Sequence, residues 1–166
     1  MAGRIHRYAV GLKWTGDRGE GTAHYRAYSR DHRIEAPGKP AIEGSADPAF
    51  RGDAARWNPE EMLLAALSSC HQLWYLHLCA EAGVVVVGYA DEAEGEMQEA
   101  ADGGGQFVRV VLRPTVTVAA GSDAERAEAL HHEAHAKCFI ARSVNFAVAC
   151  EAEIVVAENR QTVPRA

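Results

Sequence analysis

The residue types in this chain best suited to chemistry are its four cysteines, Cys70, Cys79, Cys138 and Cys150. A thiolate is both a nucleophile and a soft metal ligand, so an unpaired thiol can serve covalent catalysis, redox sensing or metal binding. The N-terminus, MAGRIHRYAV, lacks the continuous apolar run of a secretory signal. A disulfide framework is therefore not expected, and a cytoplasmic location is. Cys150 lies between Val148 and Ala152 on the apolar face of a strand pattern, and Cys79 follows Leu78 near the end of a helical pattern. Both read as small core hydrophobes. Cys70 differs, because Ser68-Ser69 before it and His71 after it form a polar interruption in an apolar helix. Polar groups in a buried helix need partners or a task. Cys138 stands in a similarly distinctive stretch, His135-Ala136-Lys137-Cys138-Phe139.

These positions constrain the chemistry. An isolated thiol titrates near pH ~8.5 and is mostly unreactive at neutral pH. Cys70 falls about three turns into its helix, beyond useful reach of the N-terminal dipole. A working thiolate there needs a cation from elsewhere. The Asp17-Arg18-Gly19 turn offers one, Arg26, Arg30, Arg33 and Arg51 are others nearby in sequence, and the chosen arginine needs a carboxylate to hold it. The rival chemistry is a metal site. His131, His135 and Cys138 follow i, i+4, i+7 spacing on one helix face, and Cys70 or His71 could complete four ligands for zinc. The plainer reading of these histidines is a partly solvated helix face.

The elements that must position these residues follow from pattern. Tyr8, Val10, Leu12 and Trp14 alternate with polar or small residues, as in a half-buried strand. Thr15 to Gly21 reads as a turn, Thr22 to Ser29 as a second strand, Arg33 to Ala36 as a third, and residues 37–57 as an irregular loop. A long helix opens at the N-cap Asn58, with Pro59 at its first position and Glu60 and Glu61 on the positive end of the dipole, and stops at Gly83. Its apolar residues occur on nearly every face, which calls for cover beyond a single chain and hints at a dimer. Val84 to Tyr89 and Phe107 to Val118 read as strands, Pro114 marking an edge or bulge in the latter, and Gly103-Gly104-Gly105 as a turn. A capping box from Ser122 to Glu125 opens a second helix running to about Ala141. The last strand places Val144, Phe146, Val148, Cys150, Ala152, Ile154 and Val156 on one face. This order predicts a single α+β domain over residues 1–166.

The stretch Asn58-Pro59-Glu60-Glu61-Met62-Leu63-Leu64-Ala65-Ala66-Leu67-Ser68-Ser69-Cys70 resembles the Asn-Pro-Glu…Ala-Cys motif of the OsmC/Ohr family (osmotically inducible protein C-like and organic hydroperoxide resistance proteins). Ala136-Lys137-Cys138 resembles the second family motif, and Arg18-Gly19-Glu20-Gly21-Thr22 the Arg-Gly-x-Gly-Thr turn of the OsmC branch. The three matches come in family order across nearly the whole chain. The resemblance implies an OsmC-like fold, with strands flanking a long central helix and a second helix, in an intertwined homodimer. It implies a peroxidase that reduces organic hydroperoxides in antioxidant defence. Cys70 would be the peroxidatic nucleophile, Cys138 the resolving cysteine, Arg18 the stabiliser of the thiolate and Glu60 the residue orienting Arg18. The Cys70–Cys138 disulfide would be reduced by an external dithiol, for example of lipoyl type, with no metal, haem or flavin. The second motif often continues Cys-Pro, whereas here Phe139 follows Cys138, which leaves the branch of the family open. Ten residues of straight helix separate Glu60 and Cys70 by ~15 Å, so for both to meet one arginine either the helix breaks or the long side chain bridges them, and a break or irregularity between Glu61 and Ser69 is expected.

Composition narrows the alternatives. The net charge of −6 carries no basic footprint for nucleic acid or anionic lipid. No segment approaches the ~18 apolar residues of a membrane span. There is no Gly-x-Ser-x-Gly elbow and no phosphate loop, and the glycine triplet lacks the strand-to-helix setting of a dinucleotide site. A non-catalytic carrier of hydrophobic ligands on the same fold stays open, since fold alone does not decide function. An apolar lining around Cys70 would favour alkyl or fatty-acid hydroperoxides over hydrogen peroxide.

Overall fold

The computed structural model describes residues 3–158. The described residues form two compact units, 3–63 and 64–158.

In the first unit, β1 (Gly11–Trp14), β2 (His32–Glu35) and β3 (Ile42–Gly44) make an antiparallel sheet in that order. Leu12, Ile34 and Ile42 are successive register partners across it. The expected strand over Thr22 to Ser29 is absent, and the segment is a run of turns. Ala23 and Ala27 donate their N–H groups to the carbonyls three residues back, and Arg30 donates to the Tyr25 and Tyr28 carbonyls while stacking on both rings. These local bonds use the backbone groups that a strand would offer to a neighbour. The region expected to be an irregular loop also contains β3. Ser45 beside it is fully buried, donating to Asp31 and accepting the Asp53 N–H.

A long helix, α1 (Pro59–Ala82), runs through the boundary between the units. Its start is the expected one, and Glu61 makes the cap reciprocal. The Asn58 side chain accepts the Glu61 N–H at 2.7 Å, and the Glu61 carboxylate accepts the Asn58 N–H at 3.2 Å. Gly83 ends it with φ 72°, as the C-terminal glycine signal predicts. The expected break between Glu61 and Ser69 does not occur, and the helix is continuous. Ser68 and Ser69 are satisfied without disturbing the backbone ladder, Ser68 by the Asp91 carboxylate and Ser69 by the Ala66 carbonyl. Nor is α1 buried on every face in this chain. Leu67, His71, Tyr75, Leu78 and Cys79 form one buried stripe, while Leu73 is 67% exposed.

The second unit holds two three-stranded sheets and α2 (Ala124–Lys137). One sheet has β4 (Val86–Asp91), β7 (Pro114–Val118) and β9 (Glu153–Val156) in the order β4-β7-β9. The other has β5 (Glu94–Glu99), β6 (Gly105–Leu112) and β8 (Ala147–Cys150) in the order β5-β6-β8. Two of the long strands expected from sequence are each divided between these sheets. The run from Phe107 to Val118 breaks at Arg113, and the run from Val144 to Val156 breaks at Glu151 and Ala152. Pro114 has no N–H to give to a ladder, and the Arg113 N–H is taken by the Asp91 carboxylate at 2.7 Å. The chain therefore turns from one sheet to the other there, and β8 and β9 follow the same corner in parallel beside β6 and β7.

The second helix starts one residue later than expected. Asp123 is its N-cap, accepting the Arg126 N–H at 2.9 Å, because the Ser122 hydroxyl accepts the Val85 N–H instead. It ends at Lys137, short of Ala141, with Cys138 as its C-cap in extended conformation. The core joins Tyr75, Leu78 and Cys79 of α1 to Val84, to Val116 and Val118 of β7, and to Ala127, Leu130 and Ala134 of α2. Cys79 is thus a core residue, as read from sequence. Among the described residues no helix is long and apolar enough to cross a membrane.

Candidate functional site

Within the second unit the fold brings Cys70 and Cys138 side by side. Cys70 is half-buried on α1 and Cys138 is 1% exposed at the end of α2, and both are free thiols. Because α2 stops at Lys137, the extended backbone at Cys138 turns its side chain away from the helical spacing. Its Sγ accepts the Ala141 N–H at 3.4 Å. Burial pushes the Cys138 thiol up to about 11. The Ala141 and Ile140 N–H groups act against that, while the neighbouring Cys70 thiol adds to it by hydrogen bond and charge. Trp74, one turn beyond Cys70, meets Phe139 edge to face at 5.7 Å and carries the Lys137 ammonium 5.5 Å from its ring centroid. An apolar wall thus flanks the thiol pair, with a cation at its rim.

The other two site residues expected from sequence belong to the first unit. Arg18 is exposed on the turn that follows Asp17. The Asp17 carboxylate accepts the N–H groups of Gly19 and Gly21 at 2.8 and 2.9 Å, which pins the turn and holds that carboxyl below its usual range. Arg18 lines a concavity of about 380 Å³ with Ser29, Asp31, Arg51 and Asp53. Glu60 sits in the first turn of α1, and its Oε2 is buried without a hydrogen-bond partner. Among the described residues no ion pair joins Arg18 to Glu60.

A second cluster in the second unit joins two of the zinc candidates named from sequence, His71 and His131, to Cys150, which was expected to be a core residue. His71 of α1 and His131 of α2 are both buried, with Nε2 of His71 3.0 Å from Nδ1 of His131. Cys150, at the end of β8, lies 3.6 Å from the first nitrogen and 3.8 Å from the second. Burial is the main force lowering His71 to about 4 and His131 to about 3, and raising Cys150 to about 11. All three are uncharged at neutral pH. The rival zinc set weighed from sequence, His131, His135 and Cys138 with Cys70 or His71, is corrected by this geometry. Among the described residues, the His/Cys/carboxylate group whose ligand atoms converge is His71, His131 and Cys150. His135 is exposed, and Cys138, no longer in helical register, faces Cys70. The available sequence signal was His71 in the stripe Leu67, His71, Tyr75. Its partners lie 60 and 79 residues away, and no local spacing encodes them.

Comparison with known proteins bears on most of the chain. The family model described as OsmC-like protein matches residues 52–153. The chain is 34% identical to an OsmC-like protein of unknown function from Vibrio cholerae, with 89% of this chain and 99% of that one covered and a TM-score of 0.81. At lower identity its fold resembles those of two organic hydroperoxide resistance proteins. For the Elizabethkingia anophelis protein the identity is 17%, coverage 93% and 100%, and TM-score 0.64. For OhrB of Bacillus subtilis they are 20%, 89% and 98%, and 0.57. No curated protein matches the chain.

Proposed function

This chain belongs to the OsmC-like protein family, and from that premise we propose that it is a thiol-dependent peroxidase that reduces organic hydroperoxides to alcohols. The observation that carries this reading is the contact between a half-buried Cys70 and a buried Cys138 with no disulfide between them. Resistance to organic hydroperoxides, named in the two fold relatives, supports the substrate class.

The reaction has two steps. The Cys70 thiolate attacks the terminal oxygen of the hydroperoxide, the O–O bond breaks, the OH passes to sulfur as a sulfenic acid, and the alkoxide takes a proton from solvent and leaves as the alcohol. The Cys138 thiol then attacks the oxidised sulfur, giving the Cys70–Cys138 disulfide and water. An external dithiol, for example of lipoyl type, reduces that disulfide by exchange. The family resemblance assigns Arg18 as the cation for the Cys70 thiolate and Glu60, whose buried Oε2 lacks a partner, as the carboxylate that orients it; with α1 unbroken, this role requires the long arginine side chain to bridge the two. Trp74 and Phe139 offer an apolar surface to an organic tail, favouring alkyl hydroperoxides over hydrogen peroxide. The exposed Leu73 of α1 fits a homodimer that covers the helix face left open in one chain. A cytoplasmic location fits the need for an intracellular dithiol.

The test is peroxide consumption with a dithiol reductant by wild type, Cys70→Ser and Cys138→Ser. The reading requires loss of turnover in Cys70→Ser and accumulation of oxidised Cys70 in Cys138→Ser. Undiminished turnover in Cys70→Ser rejects it.

A further inference from the structure

We propose that His71, His131 and Cys150 form a zinc site, separate from the Cys70–Cys138 pair. The ligand atoms all lie within 4.8 Å of one another, on side chains from α1, α2 and β8. Tetrahedral bonds of about 2.0–2.1 Å to nitrogen and about 2.3 Å to sulfur set ligand atoms about 3.3–3.6 Å apart. The observed separations of 3.0, 3.6 and 3.8 Å differ from those by only a few tenths. Two imidazoles and a thiol suit a borderline-soft ion, and no carboxylate belongs to the triad to favour magnesium or calcium.

As an apolar-core contact the cluster is poorly satisfied. The two rings lie 3° from coplanar with centroids 5.3 Å apart, so the 3.0 Å contact runs from nitrogen to nitrogen in the ring plane. That is one N–H···N hydrogen bond. It leaves the outer nitrogens, Nδ1 of His71 and Nε2 of His131, buried without partners. One of these is an unmet donor and the other an unmet acceptor, a cost that natural cores seldom carry without a function or a bound ion.

Zinc entry exchanges that hydrogen bond for coordination. The proton on the inner nitrogen moves to the outer nitrogen of the same ring, both imidazoles stay neutral, and Cys150 releases its thiol proton to solvent. Each ring must swing about 35° to aim its inner lone pair at a tetrahedral ion. His131 stacks flat on Tyr75, 12° from parallel with centroids 3.9 Å apart, so its ring can swing in plane without losing that contact. The sulfur is nearly equidistant from both nitrogens, so it already marks the side on which the ion would sit. A cavity of about 210 Å³ bordered by His131 and Cys150 provides an entry path. Glu128, His132 and His135 line it as well, but their ligand atoms do not converge with the triad, so a water from this cavity takes the fourth position. The Asp91 carboxylate acts on both His71 and Cys150 and offsets the positive charge left on a zinc bound by a single thiolate.

The test uses the full chain and metal alone. Zn²⁺ affinity is measured by competition with a chromogenic chelator in Cys70→Ser/Cys138→Ser, in which the proposed redox thiols cannot contribute, and again after adding Cys150→Ser or His131→Gln to that background. The expected result is one Zn²⁺ per chain in the double variant. Each added change should weaken it beyond the roughly 10–100-fold that losing an outer-shell partner costs. Co²⁺ bound to the double variant should show a thiolate-to-metal charge-transfer band, which decides the matter if an added substitution prevents folding. No metal binding by the double variant, binding insensitive to the added changes, or a cobalt spectrum lacking that band would overturn the site. None of these outcomes bears on peroxidase activity, so the two proposals fail independently.

Discussion

The thiol of Cys70 lies against the thiol of Cys138, one half-buried on the face of a long helix and the other buried at the C-cap of the next. They differ in what the protein does to them. Burial raises Cys138 to about 11, whereas the N–H groups of Ala141 and Ile140 stand ready to stabilise its anion.

The first prediction concerns the pH dependence of disulfide closure. At neutral pH Cys138 is almost wholly a thiol, so its reactive fraction grows about tenfold per pH unit up to its folded value. When Cys70 is oxidised with one equivalent of organic hydroperoxide, closure should accelerate from pH 7 to pH 9. Stopped-flow tryptophan fluorescence reports it through Trp74, and mass spectrometry after alkylation identifies the bond. A flat profile would mean that Cys138 does not limit closure.

The second concerns the imidazole pair. His71 and His131 are held near 4 and 3 against an ordinary value of 6.5, by burial first and then by charges around them. Asp91 pulls His71 upward, His135 pushes it down, and His71 and His132 lower His131. Between those values and 6.5 the unfolded chain binds more protons than the folded one, so stability rises with pH. The contribution is complete above pH ~6.5 and falls by up to about 1.4 kcal/mol per pH unit for each imidazole as the solution is acidified. Urea denaturation of metal-free protein between pH 4.5 and 8 should show this slope, and His131→Gln should reduce it.

A third follows from Asp91, whose two oxygens serve separate elements. One accepts the Arg113 N–H where β6 gives way to β7, and the other accepts the Ser68 hydroxyl of α1. Asp91→Ala leaves both donors unmet at a half-buried site and should cost about 2–4 kcal/mol. Asp91→Asn keeps one acceptor oxygen and should cost less, while shifting His71 further down because its favourable charge is gone. Chemical denaturation and imidazole NMR titration check the two halves.

Much of this molecule was legible in local sequence. The cap at Asn58, the stop at Gly83 and the turn after Asp17 each rest on bonds between residues two to five apart, and such bonds need nothing from the rest of the chain. Cys70 was marked by its polar neighbours inside an apolar helix, and Cys138 by its place in the stretch His135-Ala136-Lys137-Cys138-Phe139. Where a local signal misled, a distant group had intervened. Ser122 had the form of an N-cap, but the Val85 N–H claimed its hydroxyl and Asp123 took the role.

The α+β class and the two helices were thus determined by the sequence by itself, because helical periodicity, capping and composition act over a few residues, whereas the pairing of Cys70 with Cys138 was implied only by the family resemblance. Only the tertiary structure decided that the two long apolar runs each divide between two sheets. That outcome depends on the Asp91 carboxylate taking the Arg113 N–H and on Glu151 donating to the Leu112 carbonyl. The same parallel pairing of β8 with β6 carries Cys150 to His71 and His131. Alternation showed which face of the strand Cys150 occupied. It held no information about which helices would cover that face, because side chains 19 and 79 residues away meet it only after long-range pairing has formed.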